Sequence, residues 1–157
     1  MELYLFNPDS DLALANNEAN YIAPASARRM AQDMALLPIW YAAPGSAVLA
    51  PSAYNADFLK RMRELFGLQV QLVTEPELPD YAEARIVPWG WNPAIRRFFL
   101  KGGVREDRLP SPQLLAEYRL LSSRLQAVAV TRCMVDRYPE CTCGEHTLLN
   151  NIADCER

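Results

Sequence analysis

The chain is poor in several residue types that particular chemistries require. It has one histidine and six glycines in 157 residues, and of its sixteen basic side chains only Lys60 and Lys101 are lysines. The single histidine, His146, stands near the end, so a Ser–His–Asp triad built from the first 130 or so residues is excluded. No G-x-G-x-x-G follows the first apolar run, and there is neither a G-x-x-x-x-G-K-[ST] loop nor a G-x-S-x-G elbow. A classical dinucleotide site, a P-loop and an α/β-hydrolase nucleophile are therefore not expected. No apolar run approaches the roughly 18 residues of a membrane-spanning helix. The first residues, Met1-Glu2-Leu3-Tyr4-Leu5-Phe6-Asn7, lack the basic start and long apolar run of a signal peptide. The compartment expected is the cytoplasm, and no membrane partner is expected. A net charge of −3 also speaks against a general nucleic-acid binder, which would carry a basic excess.

What is present has a globular balance: half the residues are apolar and 22% are charged. The fourteen arginines suit fixed, planar, bidentate partners such as carboxylates and phosphates. Arg28-Arg29 and Arg96-Arg97 each lie in a helical pattern. Adjacent helix positions point about 100° apart, so one of each pair can face a ligand and the other solvent. Cysteines are absent from the first 132 residues, and all four (Cys133, Cys141, Cys143 and Cys155) fall in the last 25. Together with His146 they are a conceivable zinc set, but Cys141-Thr142-Cys143 is C-x-C and not the usual C-x₂₋₄-C knuckle. Free thiols are the plainer reading, and no metal site is assigned. This shift in composition suggests that the tail is a different structural unit from the body.

Along the body, short β-type runs alternate with helical patterns. Strands are expected at Leu3–Asn7, Ile39–Ala42, Ala47–Ala50, Gln69–Thr74 and Arg85–Val87. Helices are expected at Ala25–Leu37, stopped by Pro38, and at Ala53–Phe66, started by Ser52 and stopped by Gly67. Another should run from the Asn92-Pro93 start to Lys101, with Gly102-Gly103 beyond it. Ser111-Pro112 opens a further helix to about Leu121, and Leu125–Tyr138 is the last. Glu75–Ala84, with two prolines, reads as a loop with about one helical turn. The pattern implies an α/β fold: a three-layer, Rossmann-like domain with a mostly parallel sheet of about five short strands over residues 1–121. A helical and irregular segment over 122–157 follows it, as the start of a second unit.

Open α/β sheets bind ligands outside the carboxyl ends of their strands. That rule selects three segments. One follows the first strand: Asn7, Asp9, Ser10 and Asp11, continuing to Asn16 and Asn17. The second is Pro51-Ser52. The third is Trp89, Gly90, Trp91 and Asn92. Clustered Asp and Asn can hold a cation or a polar ligand, and two Trp around a Gly offer flat apolar surface to a ring. The same residues also serve as ordinary turn and capping groups or as lids on a core. The substrate-binding candidates are thus Asn7, Asp9, Ser10, Asp11, Asn16, Asn17, Trp89, Gly90, Trp91 and Asn92, with no catalytic residue assigned.

Four stretches carry a resemblance: Phe6-Asn7-Pro8-Asp9-Ser10-Asp11-Leu12-Ala13-Leu14-Ala15, Asn20-Tyr21-Ile22-Ala23-Pro24, Pro88-Trp89-Gly90-Trp91 and Leu120-Leu121-Ser122-Ser123-Arg124. Over roughly residues 3–126 the chain resembles the N-terminal region of an uncharacterised bacterial family of ATP-grasp-like architecture, common in Bacteroidetes. The resemblance implies a Rossmann-like pre-ATP-grasp domain that precedes an ATP-grasp domain, with Leu121–Arg124 near the handover. It implies a substrate-binding role for the two matching loops in an ATP-dependent, ligase-like protein, and no catalysis by this chain alone. ATP and Mg²⁺ would belong to the second domain, whose catalytic Lys, Arg and Mg²⁺ ligands have no match here. The alternative is a free-standing, non-catalytic Rossmann-like module that binds a small molecule or another protein.

Overall fold

Four short β-type runs pair into one parallel sheet: β1 (Glu2–Leu5), β2 (Ser46–Leu49), β3 (Val70–Val73) and β4 (Arg85–Pro88), in the order β3-β2-β1-β4. This comes from a computed structural model that describes residues 1–138 and Glu140. Leu3 is the register point, facing Ala47 on one side and Ile86 on the other. Six α-helices are described: α1 (Ser10–Asn16), α2 (Ala25–Asp33), α3 (Ala56–Phe66), α4 (Pro93–Lys101), α5 (Pro112–Leu121) and α6 (Arg124–Arg137). Among the described residues no helix is long and apolar enough to cross a membrane.

Strand side chains alternate between the two faces of the sheet, and a separate core lies on each. Leu3, Leu49, Val73 and Ile86 pack with Leu78 and with Phe99 of α4. On the other face Tyr4, Val48 and Val70 pack with Leu36, Ile39 and Leu59 of α3. These are the three layers of an α/β, Rossmann-like domain. The chain divides into two compact units, Met1–Ala116 and Glu117–Arg157, with the division inside α5.

The sheet has four strands and not five. The expected strand Ile39–Ala42 is a 3₁₀ turn, Leu37–Trp40, followed by a bend. Pro38 sits in the first turn of that segment, where its missing N–H costs no ladder bond, and it is buried with Ile39. Ile39 packs into the core against the sheet, which overrides its strand preference.

Two further segments depart from expectation. The polar stretch after β1 contains α1, which buries Ser10, Ala13 and Leu14 at i, i+3 and i+4. It ends where Asn17 takes a left-handed backbone, φ 63°. The proline-containing segment Glu75–Tyr81 is a 3₁₀ helix with a capping box: the Thr74 N–H and Oγ1–H both donate to Glu77 Oε2, at 2.8 and 2.6 Å. The Asn92-Pro93 start of α4 forms as expected, with Ile95 N–H donating to Asn92 Oδ1 at 3.0 Å.

Candidate functional site

The order β3-β2-β1-β4 reverses direction between β1 and β4. After β1 the chain winds to β2 and then to β3; it then crosses to the far side of β1 to form β4. In open α/β sheets the crevice at such a reversal is the usual ligand position. The segments that leave β1 and β4, which hold all ten candidate residues (Ser10, Asp11 and Asn16 in α1), meet there through Asn7 and Gly90.

In this chain Asn7 bridges the two loops at the reversal point. Asn7, 5% exposed, donates through Nδ2 to the Gly90 carbonyl at 2.8 Å and accepts from Gly90 N–H through Oδ1 at 3.2 Å. Both ends of its amide are spent on the opposite loop. Ser10 is buried against Gly90: a Cβ at position 90 would stand 2.6 Å from Ser10 Cβ and Oγ. That close approach is why the position needs glycine. Asn92 is fully buried as the cap of α4, and the Trp91 ring packs on Phe99, centroids 6.3 Å apart. Asn7, Ser10, Gly90, Trp91 and Asn92 are therefore brought together by contacts within the fold.

The other candidates reach solvent. Asp11, Asn16 and Asn17 are exposed, and Asp9 is half-buried at the start of α1 with no side-chain cap bond. Trp89 is 57% exposed and stands edge-on to Phe6 at 5.5 Å and tilted over Tyr41 at 6.4 Å. Tyr41 in turn meets Tyr4 at 5.9 Å. Burial, and then the neighbouring Tyr4, hold the Tyr41 phenol above its ordinary value. Tyr21 is raised by burial and by the Asp9 carboxylate.

The open space along the carboxyl edge lies one strand over. A cavity of about 200 Å³ sits beside the ends of β1 and β2. Leu5 and Leu49 line it from the strands, Phe6 and Ala50 from just beyond them, Ala31 from the last turn of α2, Ala35 from the segment after it, and Phe98 from α4. Its polar lining is Gln32 and Glu75. It adjoins a more polar groove of about 470 Å³, which shares Gln32, Ala35, Ala50 and Pro51 and adds Asp33, Ser52, Tyr54 and Asn55. Ser52 Oγ accepts from Tyr54 N–H at 3.3 Å. Neither lining contains a Lys, Arg or His. Phe6 links the two regions, since one ring lines the cavity and meets Trp89.

Of this site, the carboxyl-edge rule singles out only Pro51-Ser52. Gln32 sits on an exposed helix turn and Glu75 opens a 3₁₀ helix; neither carries a local signal. Arg96, Arg105 and Arg108 are engaged away from the cavity, and Arg29 pairs with Asp33 of the groove at 3.7 Å. Arg96 donates to Pro110 O and to Glu106, and Arg105 and Arg108 share Glu83, with Arg105 also forked onto Asp107. Arg28, Arg29 and Arg97 are exposed. Among the described residues no group of three or more His, Cys, Asp or Glu is placed to hold a metal ion. Cys133 is an exposed thiol, while Cys141, Cys143, His146 and Cys155 lie outside the described residues. Comparison of the chain with protein-family models, with curated proteins and with solved structures gives no match.

Proposed function

We propose that this chain is the small-molecule-binding, N-terminal domain of an ATP-dependent, ligase-like protein, and that its ligand seats in the cavity at the carboxyl ends of β1 and β2. The observation that carries the reading is the cavity itself. It has an apolar floor, opens into a polar groove, and lies on the sheet edge where α/β folds bind ligands. The ligase-like part of the reading is supported by the resemblance of Phe6–Ala15, Asn20–Pro24, Pro88–Trp91 and Leu120–Arg124 to the ATP-grasp-like family. The cytoplasm, where such chemistry has its ATP supply, is the compartment attached to it.

The lining suits recognition more than chemistry. Ser52 Oγ is engaged with a backbone N–H and carries no hydrogen bond to a basic side chain. A triphosphate does not fit this cavity. No cationic side chain lines it, and the end of α2 that faces it is a carboxyl end, which repels anions. The resemblance, and not this lining, attaches ATP and Mg²⁺ to a second domain, and no step is routed through them here.

The test is a two-dimensional NMR titration of the whole chain with a panel of small amines, alcohols and carboxylates. Binding should shift the Ala31, Gln32, Ala50 and Glu75 amides. Ala31→Phe, which fills the cavity, should abolish binding and leave the fold intact. Shifts confined to Asp11–Asn17, or binding undiminished by the filled cavity, would refute the reading.

One observation favours the alternative, an interaction module. Exposed Trp40 and Phe66 stand edge-to-face at 5.3 Å, and Trp40 borders a groove of about 300 Å³ with Met34 and Phe58. Sedimentation across a concentration series reads it. Self-association lost in Trp40→Ser supports it, and a monomer throughout removes it.

A further inference from the structure

We infer that the cavity takes an organic ammonium ion: a compact aliphatic or cyclic body carrying one protonated amine. The inference rests on the proposed site and names the class of molecule that fills it.

Size sets the body. An engineered apolar cavity of about 150 Å³ in another protein holds benzene, so about 200 Å³ suits a group of roughly six to eight heavy atoms. The floor of Phe6, Leu49, Ala50 and Phe98 offers it no hydrogen bonds, so that part of the ligand is hydrocarbon.

Charge sets the head group, and three independent features agree. Glu75, at the carboxyl end of β3, lines the cavity and makes no hydrogen bond or ion pair with any described residue. The carboxylate is exposed, so it stands hydrated at the cavity rim and is open to a cationic group. The last turn of α2 supplies Ala31 and Gln32 to the lining, so the partial negative charge of a helix carboxyl end lies at the cavity. No Lys, Arg or His lines either the cavity or the adjoining groove; Asp33 of the groove is paired with Arg29 at 3.7 Å, so the negative charge left to the cavity is that of Glu75. In the cavity a carboxylate or phosphate ligand would meet the Glu75 charge with no basic side chain in the lining to offset it. The amino end of the 3₁₀ helix at Glu75–Tyr81 does not reverse this, because the Glu77 carboxylate already occupies it through Thr74. An ammonium gains a charge-assisted hydrogen bond to Glu75, and Gln32 Oε1 is a further acceptor in the lining.

Three probes of one shape decide it: isopentylamine, isopentanol and isovalerate, titrated by NMR into the whole chain near pH 7, where an alkylamine is cationic. The amine should bind about threefold to fivefold more tightly than the alcohol, the gain of one ion pair to an exposed carboxylate, and the carboxylate more weakly than either. Glu75→Gln should erase the preference of amine over alcohol and leave alcohol affinity unchanged. Glu64→Gln, an exposed acid on α3, should leave it intact and so controls for net charge. Isovalerate binding as tightly as the amine, or a preference that survives Glu75→Gln, overturns the ammonium assignment while cavity shifts still support the site. No cavity shift with any of the three probes overturns the site as well.

Discussion

Replacing Asn7 with Ala removes the staple between the loops of β1 and β4, and the size of the loss follows from its geometry. Two hydrogen bonds disappear, and the Gly90 N–H and C=O lose their partners on a half-buried segment. Each bond contributes about 0.5–1.5 kcal/mol net, so the variant should lose about 1–3 kcal/mol. For a unit of this size that is a fall in Tm of about 5–12 °C. Asp11→Ala on the neighbouring exposed turn should cost within about 0.5 kcal/mol and serves as the reference.

Asn7→Asp separates the two bonds. One carboxylate oxygen still accepts from Gly90 N–H, but the other now faces the Gly90 carbonyl. The folded state should therefore favour the protonated acid, which can donate to that carbonyl, and raise its pKa above the unfolded value. A raised pKa means stability that is present at low pH and lost as pH rises through the folded value. The deficit of Asn7→Asp relative to the native chain should thus shrink as pH falls from 7 toward 4. Urea denaturation at several pH values reads both effects. A loss below about 0.5 kcal/mol for Asn7→Ala would mean that the bridge is slack and the reversal point is free to open.

Two other outcomes follow from contacts in the fold. Gly90→Ala should destabilise by about 1–3 kcal/mol, because its new Cβ overlaps Ser10, and Ser10→Gly in the same chain should recover part of that loss in a double-mutant cycle. Stability against pH should form a plateau. Glu77 is lowered by the Thr74 hydroxyl and N–H, Glu83 by Arg105 and Arg108, and Asp107 by Arg105. Their contribution is present above the ordinary values of 4.5 and 3.8 and is lost as pH falls through the lowered ones. Tyr4 is raised, chiefly by its hydrogen bond to Glu2, so its contribution is full below the ordinary 10.0 and is lost as pH climbs through the raised value. A denaturation series that shows the acid-side loss already complete at about pH 5 would contradict the carboxylate assignments.

Much of the layer architecture could be read from residue order because its signals are local. Asn92-Pro93 starts α4, Gly67 ends α3, and the runs around Leu3, Val48, Val70 and Ile86 are short, apolar and β-rich, as strands buried on both faces are. Leu37–Ala42 was misleading for a physical reason. Ile39 and Trp40 favour a strand, but no neighbouring strand offers them a ladder, and Pro38 removes a donor. The stretch after β1 hid α1 because Asp9, Ser10 and Asp11 are turn formers until Ala13 and Leu14 find a sheet to pack on. At the site, the carboxyl-edge rule correctly puts the loops of Asn7 and Gly90 side by side. It could not tell that the Asn7 amide would bond both backbone polar groups of Gly90. Nor could it assemble a cavity from Phe6, Ala31, Ala50, Glu75 and Phe98, which stand far apart in the chain.

The most direct test of where ligands bind is a crystallographic fragment screen on the whole chain. Small apolar and cationic fragments should collect between Ala31, Ala35, Ala50 and Phe98, with polar atoms toward Gln32 and Glu75. Fragments that instead part Asn7 from Gly90 and settle between Trp89 and Asp11, leaving that cavity empty, would contradict the account.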